Sequence, residues 1–135
     1  MKLILLSSEF YEKYSNCKEI LHKENRPYIS IEICIDSVLY AIPFRHHIKH
    51  KNAFITYGEC GLDFTKAVVI EHESYVSLQS PRIDTKEWSI IKKSQNKIFF
   101  EFRKFINQYK RALLHPDNKR SESFLKYCSL QYFEI

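Results

Sequence analysis

The sequence predicts an α+β fold, in which an antiparallel β-sheet is flanked by helices. Strand-like segments concentrate in the middle of the chain, and a long helical pattern follows late. Two of the strand patterns are joined by only two residues, and a connection that short makes its strands antiparallel. The 135 residues suit a single domain, 1–135, because two glycines and four prolines leave little material for linkers.

The opening of the chain predicts a short strand followed by a helix. Leu3–Leu6 is an apolar run. Ser7 or Ser8 can then cap a helix whose positive end lies near acidic residues. The helical pattern continues through Cys17–Lys23 and stops at Arg26–Pro27.

A hairpin is the clearest prediction. Tyr28–Ile35 alternates between polar and apolar residues, as a half-buried strand does. Asp36–Ser37 forms the turn, and Val38–Phe44 returns as the partner strand. Pro43 cannot donate a ladder hydrogen bond, so we expect it at a sheet edge or at the end of its strand.

The rest of the chain alternates between strand and helix patterns. One face of the long helix carries an apolar residue at three- and four-residue steps: Ile98, Phe102, Phe105, Tyr109 and Leu113. The predicted elements are a strand at Ala53–Tyr57, a loop through Gly58 and Gly61, strands at Ala67–Ile70 and Tyr75–Leu78, a helix opening near Thr85, a helix from about Ser94 to Leu114, a short helix at Ser121–Tyr127 and a closing strand at Ser129–Phe133.

Composition restricts the classes of protein. Hydrophobic residues make up 44% and charged residues 27%, which argues against disorder, and the net charge of +5 weakly favours a polyanionic partner. No apolar run approaches the ~20 residues of a membrane span, so we expect a cytoplasmic protein without a membrane partner. The four cysteines form no C-x-x-C pair and no closely spaced Cys/His quartet, so we expect reduced, buried thiols and neither a zinc site nor a disulfide framework. We expect no metal and no cofactor.

The segment Ile42–Lys51, IPFRHHIKHK, concentrates the chemistry of the chain. It holds three histidines, which exchange protons near neutral pH, and three permanent cations suited to a phosphate: His46, His47, His50, Arg45, Lys49 and Lys51. If the strand continued past Arg45, His46 and His47 would point to opposite faces. Metal-free cleavage of a phosphodiester is one interpretation; a solvated strand end without a role and a metal site are the alternatives.

Several segments together resemble the toxins of type III toxin–antitoxin systems, in the TenpN-like branch of the ToxN/AbiQ endoribonuclease family. They are RPYISIEICI, AIPFRHHIKHKNAFIT, CGLDFTKAVVI and YCSLQYFEI, in that order. The resemblance implies a strongly twisted antiparallel sheet similar to the ToxN and MazF/Kid toxin fold. It also implies metal-independent RNA cleavage and inhibition by a repetitive pseudoknot RNA antitoxin that the toxin processes. Toxin and antitoxin RNA would form a closed heteromeric ring, acting in phage defence or plasmid maintenance.

The resemblance also suggests site residues. Lys49 matches the family's lysine, Arg45 and His46 stand where the family has a hydroxyl pair, and Arg26 matches a basic position at the family's active site. We expect Lys49, Arg45 and Arg26 to bind the transition-state phosphorane while His47 or His50 acts as acid or base. The residues expected to bind RNA are Lys51, Tyr28, Lys66, Lys97, Arg103, Lys104, Lys110 and Arg111.

Other functions are compatible with the same residues. A non-catalytic RNA-binding module would use the same charges to bind phosphates. A structural interaction domain would have no affinity for RNA. Cys60 and Asp63 in ECGLDF could belong to a Cys/His hydrolase, although a loop with a buried thiol is the more common arrangement.

Overall fold

A tight hairpin forms the centre of the sheet. Strand β2 (Ile29–Ile35) pairs antiparallel with β3 (Val38–Arg45). The turn residues Asp36 and Ser37 have φ angles of 50° and 68°. Positive φ at both positions matches the right-handed twist of the flanking strands, so this two-residue turn fixes the register that the sequence predicted.

The computed structural model describes residues 1–22 and 28–135, and in this part of the chain the fold is a small α+β domain. Its described strands form a six-stranded antiparallel sheet in the order β1-β2-β3-β5-β4, with β6 also paired to β3. The remaining strands are β1 (Lys2–Leu5), β4 (Ala53–Tyr57), β5 (Cys60–Asp63) and β6 (Val68–Val69). The α+β class and the antiparallel sheet are therefore confirmed.

Pro43 lies inside the central strand β3, neither at a sheet edge nor at the strand's end. The carbonyl of Leu39 accepts a hydrogen bond from the Ile70 N–H on the β6 side, at 2.8 Å. Backbone polar groups alternate in direction along a strand, so the Pro43 nitrogen points to that same side. On this side of β3, Tyr40 and Ala41 pair with β6, and Phe44 and Arg45 pair with β5. Pro43 lies between these two pairings, where no backbone N–H is required for a ladder hydrogen bond.

Helices cover the sheet. Within the described residues they are α1 (Ser8–Lys13), α2 (Thr85–Lys93), α3 (Gln95–Leu114) and α4 (Lys119–Tyr127). The predicted continuation of α1 through Cys17–Lys23 is wrong for Cys17 to His22, which form turns and irregular structure, and Lys23 lies outside the described residues. Ser15 and Asn16 follow the last helical turn, and such side chains favour turns over helix interior. No helix in the described ranges is long and apolar enough to cross a membrane.

Gly61 belongs to β5 and not to a loop, which corrects the sequence prediction. A Cβ atom at this position would lie 2.1 Å from the Phe54 carbonyl oxygen of β4. Glycine thus permits the close approach of two strands, and its usual association with loops concealed a strand that continues to Asp63.

Two other predicted strands are also wrong. A 3₁₀ turn (Glu73–Tyr75) precedes Val76, which forms only an isolated bridge with Leu6. Near the carboxyl end, a 3₁₀ turn (Ser129–Tyr132) replaces the predicted closing strand. The two segments are only four and five residues long, and over so few residues periodicity does not distinguish a strand from a buried turn.

The core lies between the sheet and α3. Ile98, Phe102, Phe105 and Tyr109 are buried, as predicted, and burial raises the pKa of Tyr109 to about 12. Leu113 is 48% exposed, and Ala112 continues the buried face in its place. The 3.6-residue period of a helix, counted from residue 98, reaches 112 before 113.

Candidate nucleic-acid groove

A buried carboxylate contacts two of the predicted site residues, Arg45 and His50. Asp63 at the end of β5 has 0% exposure. Its Oδ2 accepts a hydrogen bond from Arg45 Nη1 at 2.9 Å, and its Oδ1 lies 3.2 Å from His50 Nε2. The backbone N–H and hydroxyl of Thr65 also donate to Oδ1, at 3.0 and 2.6 Å. Each carboxylate oxygen therefore has a hydrogen-bond partner, which offsets the cost of burying this side chain.

The sheet register brings these groups together. Arg45 pairs with Gly61, and Asp63 lies two residues further along β5. Side chains two residues apart share a face of a strand, so Arg45 and Asp63 meet on one face. Asp63 also caps the 3₁₀ turn Phe64–Lys66 through Thr65, which fixes the carboxylate's position.

Both ring nitrogens of His50 are engaged. Nδ1 accepts the Asn52 backbone N–H at 3.2 Å, and Nε2 lies 3.2 Å from Asp63 Oδ1, close enough for an ion pair when the ring is protonated. The Asp63 carboxylate therefore lies beside this imidazole, whose side chain is 38% exposed. The two contacts have the same length, and the one with Asn52 joins residues only two positions apart.

An open groove of about 740 Å³ passes over Arg45 and His50. Helix α4 forms its far wall, with cations at its first turn and aromatic rings further on. Lys66 also lines the groove, and its ammonium donates hydrogen bonds to Glu19 Oε2 at 2.8 Å and to the Tyr127 carbonyl at 3.2 Å. The lining residues are Arg45, His50, Asn52, Thr65, Lys66, Lys119, Arg120, Ser123, Phe124 and Tyr127.

The groove contains only part of the predicted histidine and lysine cluster. Strand β3 ends at Arg45, and His47 takes a left-handed conformation with φ of 59°. The described residues that line the groove do not include His46, His47 or Lys49, all of which are exposed. The predicted alternation of His46 and His47 fails because the chain bends where a strand would continue. Arg26 lies outside the described residues.

The predicted RNA-binding residues fall on several surfaces. Lys51 and Lys104 line a second groove of about 310 Å³, and Asn52 lines both grooves. Lys97 pairs with Glu101 at 4.0 Å, and Arg103 with Asp36 at 3.1 Å. Three further positions complete the set: Lys110 and Arg111 are exposed on α3, and Tyr28 is half-buried beside a small pocket that Lys66 also lines.

The sequence analysis did not identify Asp63 as a residue of the groove, although it contacts both Arg45 and His50. The sequence prediction places Asp63 in a loop and mentions it only with Cys60, in the Cys/His hydrolase alternative. The available signal was a carboxylate inside the apolar segment LDF with a threonine two residues on, a pattern typical of a capped turn. The α4 cations Lys119 and Arg120 were also missed.

Comparison of the chain with known proteins identifies no relative. No protein-family model, no curated protein and no solved structure matches the chain. In the described part of the chain, no three His, Cys, Asp or Glu side chains are grouped so that they could hold a metal ion.

The α4 wall of the groove depends on a helix cap. The Asn118 side chain accepts a hydrogen bond from the Arg120 backbone N–H at 2.9 Å. We expect Asn118→Ala to destabilise α4 by about 1 kcal/mol, because loss of such a cap leaves an amide unpaired. Hydrogen exchange of the α4 amides measures the change. Asn107→Ala, an exposed site within α3, serves as the control, and equal exchange in both variants would contradict this role of the cap.

Proposed function

We propose that this protein is a metal-independent endoribonuclease, a toxin of a type III toxin–antitoxin system. RNA would be cut by attack of a ribose 2′-OH on the adjacent phosphate, giving a 2′,3′-cyclic phosphate and a 5′-OH end. The observation that supports this most strongly is the Arg45 guanidinium, which a buried carboxylate holds in a cation-lined groove.

Arg45 is suited to bind the scissile phosphate. Asp63 engages Nη1, and the side chain is still 33% exposed, so other guanidinium N–H groups remain for phosphate oxygens. Because Asp63 fixes the guanidinium in advance, little reorganisation is needed as charge develops on the phosphorane. A single preorganised donor of this kind contributes about 10²–10³-fold to a rate.

His50 is the best-placed group for proton transfer. Its Nε2 lies 3.2 Å from the Asp63 carboxylate, which would stabilise the protonated ring, and Nδ1 becomes available once the Asn52 contact opens. Proton transfer from a positioned imidazole contributes about 10²–10⁴-fold. We therefore assign the acid or base role to His50, in preference to His47, which does not line the groove.

The far wall would bind the neighbouring nucleotides. Lys119 and Arg120 offer two phosphate contacts, and Phe124 and Tyr127 offer ring faces on which an unpaired base can stack. The second groove, with Lys51 and Lys104, would continue the path past Asn52.

Removing the two α4 cations is expected to flatten the salt dependence of RNA binding. Each lost contact with a single-stranded phosphate reduces the slope of log Kd against log salt by about 0.7, so Lys119→Ala with Arg120→Ala should reduce it by about 1.4. Fluorescence anisotropy over a salt series measures the slope. Arg82→Ala with Lys93→Ala removes the same charge from exposed positions that do not line the groove. An equal change of slope in both double variants would show that Lys119 and Arg120 do not bind RNA phosphates.

The resemblance to type III toxins extends the proposal to partners. A repetitive pseudoknot RNA antitoxin would occupy the groove and be processed there, and toxin and RNA would assemble into a closed heteromeric ring. The sheet would then be a variant of the ToxN and MazF/Kid fold. The protein would act in the cytoplasm, on cellular or phage RNA.

A non-catalytic RNA-binding module is the second candidate. It is favoured by one observation, that both His50 nitrogens already have partners. In that case the groove would bind phosphates without moving a proton.

End-group analysis of RNA tests the proposed reaction. The purified chain is incubated with a defined RNA strand in excess EDTA, and the fragment ends are identified by mass spectrometry. We expect cyclic phosphate and 5′-OH ends, and no cut at a site whose 2′-OH is replaced by hydrogen. Salt-sensitive binding without any cut would support the second candidate. Absence of both binding and cleavage would overturn both.

A further inference from the structure

A thiol and an imidazole meet on the opposite side of the β3–β5 pair from Arg45. The register places Arg45 opposite Gly61, so the residue after Arg45 meets the residue before Gly61. These are His46 and Cys60, and His46 Nδ1 lies 2.9 Å from Cys60 Sγ. Cys60 precedes Gly61 in β5, and successive side chains alternate across a strand, so the Cys60 side chain points away from the Arg45–Asp63 face.

The phenol of Tyr57 lies beside Cys60 on the neighbouring strand. Tyr57 of β4 pairs with Cys60, and its phenol is close enough for the Cys60 charge to raise the pKa of Tyr57, with Glu87 adding to the effect. Tyr57 is 56% exposed, and His46 is also exposed. Cys60 is therefore approachable from solvent between a proton acceptor and a hydroxyl.

The other three cysteines lack this arrangement. Burial raises the pKa of Cys128 to about 11 and also raises the pKa of Cys17, so both thiols resist forming a thiolate. Cys34 is more exposed than Cys60, yet within residues 1–22 and 28–135 it has no imidazole partner. If exposure alone controlled reactivity, Cys34 would react first.

We propose that Cys60 is a thiol modification site, at which His46 accepts the thiol proton and Cys60 forms a mixed disulfide with a low-molecular-weight disulfide such as oxidised glutathione. The Cys60 sulfur attacks one sulfur of the disulfide, the S–S bond breaks, and a new S–S bond forms to Cys60. The departing thiolate takes the proton from His46, so the overall reaction consumes one disulfide and releases one thiol.

Peptide mass spectrometry tests the site on the native full chain. The protein is incubated with oxidised glutathione at neutral pH, and the rate of glutathione addition is measured at each cysteine. We expect Cys60 to react about threefold to tenfold faster than Cys34, because His46 Nδ1 is in place to accept the thiol proton as the sulfur attacks. His46→Asn, which keeps a polar side chain but accepts no proton, should reduce the Cys60 rate to that of Cys34.

Controls separate this proposal from exposure and from unfolding. His47→Asn changes the neighbouring exposed histidine and should leave the Cys60 rate unchanged. Modification of the buried Cys128 reports any loss of fold, and the Cys34 rate serves as the internal reference in every variant. An equal or faster rate at Cys34 in the wild-type chain would overturn the proposal, as would an unchanged Cys60 rate in a folded His46→Asn variant.

Discussion

Arg45→Ala is expected to slow RNA cleavage by about 10²–10³-fold, the cost of losing one preorganised donor to a developing oxyanion. The guanidinium is the group in the groove that combines permanent charge, free N–H donors and a fixed position on a buried carboxylate. Arg45→Lys keeps the charge but loses the planar fork, so its rate should fall between those of the alanine variant and the wild type. Single-turnover cleavage of a labelled RNA strand gives the three rates.

Arg82→Ala is the matched control for this experiment. Arg82 is exposed, does not line the groove, and its loss changes the net charge by the same amount. Circular dichroism on each variant establishes that the fold is retained. If folded Arg45→Ala cleaves at the wild-type rate, Arg45 does not bind the scissile phosphate.

Asp63→Asn is expected to destabilise the fold by about 3 kcal/mol, the lower end of the range for removing one partner of a buried ion pair. The lower end applies because the Arg45 side chain is 33% exposed and water can solvate part of its charge. If the new amide oxygen keeps the two Thr65 contacts, its NH₂ group faces Arg45 as a second donor. Urea denaturation monitored by circular dichroism measures the free energy of unfolding.

Asp36→Asn provides the comparison for this change. Asp36 pairs with Arg103 at 3.1 Å, but its side chain is 63% exposed. Exposed ion pairs contribute only about 0–1 kcal/mol, and asparagine tolerates the positive φ of this turn position. Equal loss of stability in the two variants would show that burial of Asp63 has no special importance. RNA cleavage should fall in Asp63→Asn alone, because Arg45 loses its support.

The regular elements were predictable because their signals are local. Alternation in Tyr28–Ile35, a two-residue turn and the spacing of Ile98 to Tyr109 each depend on neighbouring residues, and the structure confirms the hairpin and the buried face of α3. Pro43 and Gly61 misled for one shared reason. Proline and glycine are usually found at strand ends and in loops. Here the strands paired with β3 determine where Pro43 is tolerated, and the close approach of β4 determines that position 61 is a glycine.

The candidate site was only partly predictable because its contacts are long-range. Arg45 and His50 were identified, but Asp63 acquires its importance from a strand register that brings it to Arg45, eighteen residues away in sequence. A single carboxylate produces no periodic signal. The end of β3 at Arg45 likewise could not be read from HHIKH, and that bend separates His46, His47 and Lys49 from the groove.

Nuclear magnetic resonance of the labelled chain with a non-cleavable RNA strand tests the location of the site most directly. The strand carries 2′-deoxy positions, so it binds without being cut. We expect the largest shifts at the Arg45 side chain, at Thr65 and at Ser123, all of which line the groove, and little change at Glu32 and His72 on a separate pocket. Binding that leaves the Arg45 resonances unchanged and shifts the Glu32 and His72 surface would contradict the assignment of this groove to RNA.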